Sequence, residues 1–286
     1  MKEYIRLCAF ADEASVSTEG QIKALLENEI PQLEIRGVNG TNIAALGTAD
    51  AKAFARELKA RGLSVWSIGS PAGKSRITED FAKERERFEH LMEMADIFEA
   101  PCIRLFSFYG TDGSDACFDE VCERLDTFCT VAREHGVRAC HENEKGIYGD
   151  TAARCLRLHE ALPSLSAVFD PANFVQCGQD VTEAWNVLAP YVWYGHIKDA
   201  TEGGRVVPPG MGVGALRYYL PRYAELAKAG KCSGVLTLEP HLSGFVGLAG
   251  LEQEGDKSVV GGIRFESGRA AFDHATSCLK GILETI

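Results

Sequence analysis

The chain's pattern predicts a (β/α)8 barrel, and three observations carry that expectation. Eight short apolar runs recur along 286 residues. Between them apolar side chains fall at steps of three and four, the stripe of an amphipathic helix. The first run is followed by Ala11-Asp12-Glu13-Ala14, whereas an open doubly wound sheet carries a glycine-rich phosphate turn at that point. Eight strand-helix units at this length match a closed barrel.

The predicted strands are Ile5 to Phe10, Leu33 to Arg36, Ser64 to Ile68, Cys102 to Phe106, Val137 to His141, Ala167 to Asp170, Val192 to Ile197 and Val235 to Leu238. Most are continuously apolar, as strands covered on both faces are. Thr18-x-x-Gln21 reads as a capping box opening the first helix, and Asp180-x-x-Glu183 as an acidic version of one. Gly62 ends the helix carrying Phe54, Ala55 and Leu58. Phe88, Leu91, Met92 and Ala95 stripe the third helix. Phe118, Val121, Leu125, Phe128 and Ala132 stripe the fourth, and Gly136 supplies its left-handed stop. A last helix runs from about Phe265 to Leu283. No linker or composition shift interrupts the chain, so one domain over residues 1–286 is expected. Two long Gly- and Pro-rich connections, 199–213 and 243–264, follow strands on the face where barrels build active sites. They read as lids or ligand loops, with an inserted hairpin or an oligomer contact as the plainer alternative.

Composition narrows the function. Thirty Lys and Arg against 41 Asp and Glu give a formal net charge of -11. That argues against partners bound by neutralising phosphates, nucleic acid above all, and against an anionic membrane surface. No apolar run approaches the roughly 20 residues of a membrane span, and the start, Met1-Lys2-Glu3-Tyr4, lacks an apolar signal core. The ten cysteines form no C-x-x-C pair. They read as reduced, small core hydrophobes of a cytoplasmic protein.

Four consecutive predicted strands end in a potential metal ligand. The endings are His141-Glu142-Asn143-Glu144, Phe169-Asp170-Pro171, His196-Ile197-Lys198-Asp199 and Leu238-Glu239-Pro240-His241. In a barrel they converge on one mouth. Three carboxylates meeting without a counter-ion would raise one another's pKa, and one divalent cation removes the difficulty. Glu142, Asp170, His196 and Glu239 offer three carboxylates and an imidazole. Manganese or zinc suits that set first, with cobalt or magnesium also admitted. Taken singly, each residue has a plainer reading, such as a helix cap or a core histidine.

At these residues the sequence resembles the sugar phosphate isomerase/epimerase family of the xylose-isomerase-like TIM-barrel superfamily. The resemblance spans nearly the whole chain. It rests on His141-Glu142-Asn143, Phe169-Asp170-Pro171-Ala172-Asn173, His196-Ile197-Lys198-Asp199 and Leu238-Glu239-Pro240. It implies a metal held by Glu142, Asp170, His196 and Glu239. It also implies that Glu142 and Glu239 move protons on either side of a bound sugar, through a metal-stabilised enediolate. The expectation is a divalent-metal-dependent isomerase or epimerase of a small sugar or sugar-like hydroxy-ketone. Epimerase members commonly carry His where Asn173 stands; Asn can donate a hydrogen bond but cannot exchange a proton at neutral pH.

Further substrate-binding candidates are Asn173, Lys198, His241, Arg36, Arg104 and Glu144. Glu144 is also an alternative ligand to Glu142, two residues away on the same strand face. His241 stands likewise to Glu239, with a solvated loop histidine as its alternative. Arg36 and Arg104, inside strands, demand carboxylate partners. Lys74 follows the third strand and reads first as a surface lysine. Gly210-x-Gly212-x-Gly214 is a weak candidate phosphate cradle. Trp66, Phe106, Phe108 and Tyr109 are sugar-wall or core residues. Other enzyme classes are a dehydratase using the same enolate, or an endonuclease IV-type phosphodiesterase, which needs more than the seven histidines present. A non-catalytic sugar binder is the remaining reading. A homo-oligomer fits the size and fold, but no patch in the sequence identifies one.

Overall fold

The computed structural model describes residues 2–244 and 263–286. Eight parallel strands close into a barrel: β1 (Arg6–Ala9), β2 (Gln32–Ile35), β3 (Ser64–Ile68), β4 (Cys102–Leu105), β5 (Arg138–Glu142), β6 (Ser166–Phe169), β7 (Val192–Ile197) and β8 (Val235–Leu238). Each strand pairs with its sequence neighbours, and β8 closes on β1 with Arg6 opposite Val235. Three of the eight predicted spans are met at both ends, one differs by a residue at one end, and four differ by a residue at both.

Helices cover the outside: α1 (Thr18–Glu27), α2 (Thr48–Ala60), α3 (Phe81–Phe98), α4 (Asp115–Glu134), α5 (Ala152–Ala161), α6 (Pro171–Gln176), α7 (Val181–Leu188), α8 (Leu216–Lys228) and α9 (Gly268–Leu283). The α3 stripe is buried as its spacing requires, and so is the α4 stripe except Phe118, which is half-buried. Asp180 caps α7 by accepting from the Glu183 amide. The Thr18 box does not form. Ser17 caps α1 instead, accepting from the Gly20 amide, while Gln21 Nε2 turns to the Gly37 carbonyl. None of the described helices is long and apolar enough to cross a membrane.

Strand alternation positions the site. Cys8, Trp66, Cys102, Cys140, Val168, Tyr194 and Val235 form an apolar cluster separate from the main core. They point inward and plug the barrel, while Ala139, Phe169, Ile197 and Leu236 pack outward with the helices. Side chains alternate with period two. So Glu142, two after Cys140, and Asp170, two after Val168, return to the interior one layer higher. His196 follows Tyr194 by the same step. Trp66 is therefore core. Phe108 is core too, packed against Phe81 and Phe128. All ten cysteines are free thiols, and six are buried, three of them in the plug.

Connection 199–213 holds a small hairpin, Asp199–Ala200 with Val206–Val207. Connection 243–264 lies almost wholly outside the described residues.

Candidate active site

The four strand-end residues meet. One ligand atom each from Glu142, Asp170, His196 and Glu239 lies within 4.8 Å of the others. His196 Nδ1 stands 3.1 Å from Glu142 Oε1, 3.4 Å from Glu239 Oε2 and 3.9 Å from Asp170 Oδ2. All four side chains are buried.

The surroundings hold each group in place. Asp170 caps α6 with one oxygen, accepting from the Asn173 amide at 2.9 Å. Its other oxygen lies 2.9 Å from Lys198 Nζ. Asn143 clips β5 to β6: it accepts from the Asp170 amide and donates to the Asp170 carbonyl, both at 2.9 Å. Asn173 Nδ2 donates to the Asn143 carbonyl at 2.9 Å and to Glu142 Oε1 at 3.3 Å. The asparagine thus reaches the ligand cluster itself.

Two arginines supply counter-charge. Arg104 Nη1 donates to Glu142 Oε2 at 3.1 Å and lies 3.6 Å from Glu239 Oε1. Arg36 Nη1 donates to the same Glu239 oxygen at 3.2 Å. Arg36 also grips Asp12 with two bonds, at 2.9 and 3.0 Å, and Glu13 at 3.2 Å. Phe10 packs beneath both guanidinium groups. Lys198 Nζ donates to Glu239 Oε2 at 3.0 Å.

These neighbours set the ionisation. Burial pushes Glu142 up, but His196 and Arg104 prevail and hold it down at about 2. Burial also works against Glu239, yet Lys198 and His241 hold it well below the usual carboxylate range. Asp170 goes the other way: burial outweighs Lys198, and its carboxyl rises to about 7. A buried set with one carboxyl pushed toward neutrality is short of positive charge. Three oxygens and one imidazole nitrogen are the donors a borderline-hard divalent cation takes. The residues therefore fit the ion they imply.

Sequence reasoning missed Glu34. It lies inside the barrel on β2, fully buried, where the register with β3 shifts between Leu33 and Glu34. Its Oε2 accepts from His196 Nε2 at 3.2 Å, and its Oε1 accepts from Tyr194 at 2.9 Å. A carboxylate on the far nitrogen fixes the ring so that Nδ1 faces the cluster. An acid inside the apolar stretch Gln32-Leu33-Glu34-Ile35 was the available signal. Glu13 was missed as well. It joins Glu239 and His241 in a second group with the same 4.8 Å spacing. There Arg36 already bridges both carboxylates.

The remaining candidates divide. His241 is buried beside Glu13 and Glu239, and its backbone takes a left-handed φ of 45°. It is not a solvated loop histidine. Glu144 stays outside the four-ligand group and pairs with Lys74 at 3.2 Å. Lys74 in turn is no surface lysine: its side chain is only 8% exposed and packs over Phe106. The glycine cradle does bind an anion, but the anion belongs to the chain. The amides of Gly210, Gly212 and Gly214 all donate to the Asp199 carboxylate, at 2.8, 3.0 and 2.8 Å. A phosphate has no place there.

The sequence model of the xylose isomerase-like TIM barrel family matches residues 30–259. The chain belongs to this family. Solved structures agree on the fold at low sequence identity. An L-ribulose 3-epimerase shares 17% identity with a TM-score of 0.72, covering 98% of this chain and 94% of its own. The IOLI protein, solved with a binding zinc atom, shares 14% at a TM-score of 0.71, covering 98% of this chain and 99% of its own. The probable 3-DHS dehydratase AsbF, involved in petrobactin synthesis, from Bacillus anthracis shares 18% at a TM-score of 0.69, covering 96% and 97%. No curated protein matches the chain. The barrel topology puts these four strand ends on its C-terminal face, where barrels build their active sites.

Proposed function

We propose that the protein is a divalent-metal-dependent isomerase or epimerase of a small sugar or sugar-like hydroxy-ketone. One observation carries the reading: two buried, ionised glutamates flank one histidine nitrogen in a cluster with the donor set of a divalent cation. Glu142, Asp170, His196 and Glu239 hold the cation, manganese or zinc first, and a neighbour solved with zinc lends support. When bound, the ion supplies a Lewis acid that polarises the substrate carbonyl.

The chain's own groups divide the proton work. The non-cluster oxygen of Glu142 is held by Arg104, whose guanidinium does not release a proton. Glu142 therefore acts as the base, taking the proton alpha to the carbonyl. Glu239 rests against Lys198 Nζ, an exchangeable donor. Ionised at rest, it relays a proton drawn from Lys198 to the enediolate, on the opposite face for epimerisation or on the adjacent carbon for isomerisation. On product release Glu142 gives up the proton it took and Lys198 takes one back, which restores both groups. Burial of the whole cluster keeps bulk water from quenching the intermediate.

A second reading is a dehydratase, in which the same enolate expels a beta-hydroxyl as water. Asn173 in place of the epimerases' histidine and the dehydratase neighbour favour it. The test is to purify the protein without chelator, measure bound metal, and follow alpha-proton exchange into deuterium oxide across a ketose panel. Exchange is expected, falling at least about a thousandfold in Glu142→Gln. A product absorbing as an unsaturated ketone selects the dehydratase. Metal-loaded protein that exchanges no panel member overturns both.

A further inference from the structure

An ion pair that the proton work does not use stands beside the cluster. Lys74, on the loop after β3, donates to Glu144 Oε2 at 3.2 Å. Glu144 follows Glu142 by two residues, the step that keeps side chains of an extended chain on one face. Phe106 follows Arg104 by the same step. Lys74 Nζ lies 4.3 Å from the centre of the Phe106 ring, and the Arg104 guanidinium, which holds Glu142, lies 4.9 Å from the same ring. The charges act on one another: Lys74 feels Arg104 and Glu142, and Lys198, just after β7, feels Glu144. The lysine's loop is fixed to this wall. The Phe106 amide donates to the Ala72 carbonyl at 2.8 Å and the Phe108 amide to the Gly73 carbonyl at 2.9 Å. Gly73 takes a φ of 83°, and a Cβ there would collide with the Phe106 carbonyl.

Stability alone does not account for the pair. A buried ion pair costs about what it returns, and apolar side chains of similar volume do as well. What the pair presents is a donor and an acceptor side by side. Lys74 carries three N–H groups, and Glu144 is its one hydrogen-bond acceptor among the described residues. Glu144 Oε1 accepts from the Lys145 amide at 3.0 Å, so each carboxylate oxygen keeps a lone pair. The two side chains are 8% and 11% exposed, buried without being sealed. A hydroxyl both donates and accepts, so it bridges such a pair without breaking it. An anion does not. The other cations at the cluster are committed already: Arg36 to Asp12 and Glu13, Arg104 to Glu142, and Lys198 to Asp170 and Glu239. A phosphate that approached Lys74 would meet the Glu144 carboxylate at the same moment.

We propose that the Lys74–Glu144 pair is a specificity element of the reacting site: it receives a hydroxyl of the substrate's carbon chain, and Glu144 turns an anionic group away from the same place. This rests on the proposed function for the reacting carbons. Lys74 contributes affinity, and Glu144 contributes discrimination by occupying the lysine. Without the Glu144 charge, Lys74 is a cation lacking its partner, and its N–H groups suit a phosphate oxygen.

Two measurements on the metal-loaded full chain test it. The first titrates inorganic phosphate calorimetrically into wild type, Glu144→Gln and the double variant Lys74→Met with Glu144→Gln. Glu144→Gln is expected to bind phosphate at least about tenfold more tightly than wild type. The double variant replaces the pair by two uncharged side chains and is expected to return to wild-type affinity. Phosphate held by the metal ion itself is common to all three proteins and drops out of the comparison. The second measures kcat and KM for deuterium exchange on the best ketose of the panel and on its terminal phosphate esters. Wild type is expected to prefer the free ketose about tenfold or more in kcat/KM, with the ratio shrinking toward one in Glu144→Gln. Lys74→Met is expected to raise KM for the free ketose about tenfold and to leave kcat within a factor of about two, the signature of lost binding rather than lost chemistry. Equal phosphate affinity in wild type and Glu144→Gln, a gain that survives the loss of Lys74, or a wild-type preference for a phosphate ester overturns the proposal. The two readings separate cleanly. A phosphate gain in Glu144→Gln without exchange on any ketose rejects the chemistry and keeps the pair; exchange without that gain rejects the pair alone.

Discussion

The two halves of the barrel do different work. Strands β5 to β8 bring the four cluster residues, one from the end of each strand. Strands β1 to β4 bring what surrounds them: Arg36 and Arg104 as counter-charge, Glu34 behind the histidine, and Phe10 beneath the guanidiniums. The first half to be synthesised holds the environment, and the second holds the four clustered side chains. The lesson is electrostatic. Carboxylates this close and this deep require cations nearby, and the closed barrel supplies Arg36 and Arg104 from across the ring to add to Lys198 from beside them.

Removing counter-charge breaks that division most directly. Arg104→Met keeps the volume and apolar stem but leaves Glu142 and Glu239 without one of their buried partners. Breaking a buried pair from one side costs about 3–5 kcal/mol. Denaturant unfolding in chelator should show a loss of that order, partly restored by adding a divalent cation. An unchanged midpoint would mean that the first four strands do not supply the counter-charge.

Glu34→Gln sharpens the comparison, since it alters the environment half while leaving all four cluster residues present. The amide removes the charged acceptor behind His196 Nε2. Loss of such an orienting carboxylate typically lowers metal affinity about 10–100-fold. Competition against a chromophoric chelator measures it. Affinity equal to wild type would show that the ring is held by packing against Phe10 and Tyr194 rather than by the carboxylate.

The same division explains what the sequence disclosed. The cluster was legible because each member interrupts an apolar strand end, and the period of two says which residue returns to the interior. Period two leaves Glu142 and Glu144 on the same face, and the motif alone chose Glu142. Glu34 was not legible in role. Its partner His196 is 162 positions away on a strand across the barrel, and no local pattern encodes a cross-barrel contact. The glycine triplet was read correctly as an anion nest but with the wrong anion, because Asp199 lies outside the triplet and folds back into it. Lys74 misread for a related reason. A loop lysine is solvated by default, and only the fold brings Glu144 from another loop to bury it.

The ligand half has one further property that the other half lacks among the described residues: neutral histidines buried behind its strands. His159 on α5 stacks on Tyr191 and donates from Nδ1 to the Leu165 carbonyl at 3.1 Å. Its Nε2 has no hydrogen-bond partner among the described residues. Protonation there would place a charged N–H in an apolar pocket, so burial lowers its pKa from 6.5 to about 4. The folded state resists a proton that the unfolded chain accepts. The resulting stability is present in full above the unfolded value and is lost as pH falls through the folded one. Between pH 6.5 and roughly 5.5 the loss is about 1 kcal/mol. His159→Phe keeps the ring on Tyr191 and removes the titration. Its melting temperature should therefore fall less steeply than wild type across that interval, measured in chelator so that the metal cluster does not contribute. Parallel curves for the two proteins would remove His159 as the source and leave the acid sensitivity of this interval to His141, whose pKa burial lowers to about 3.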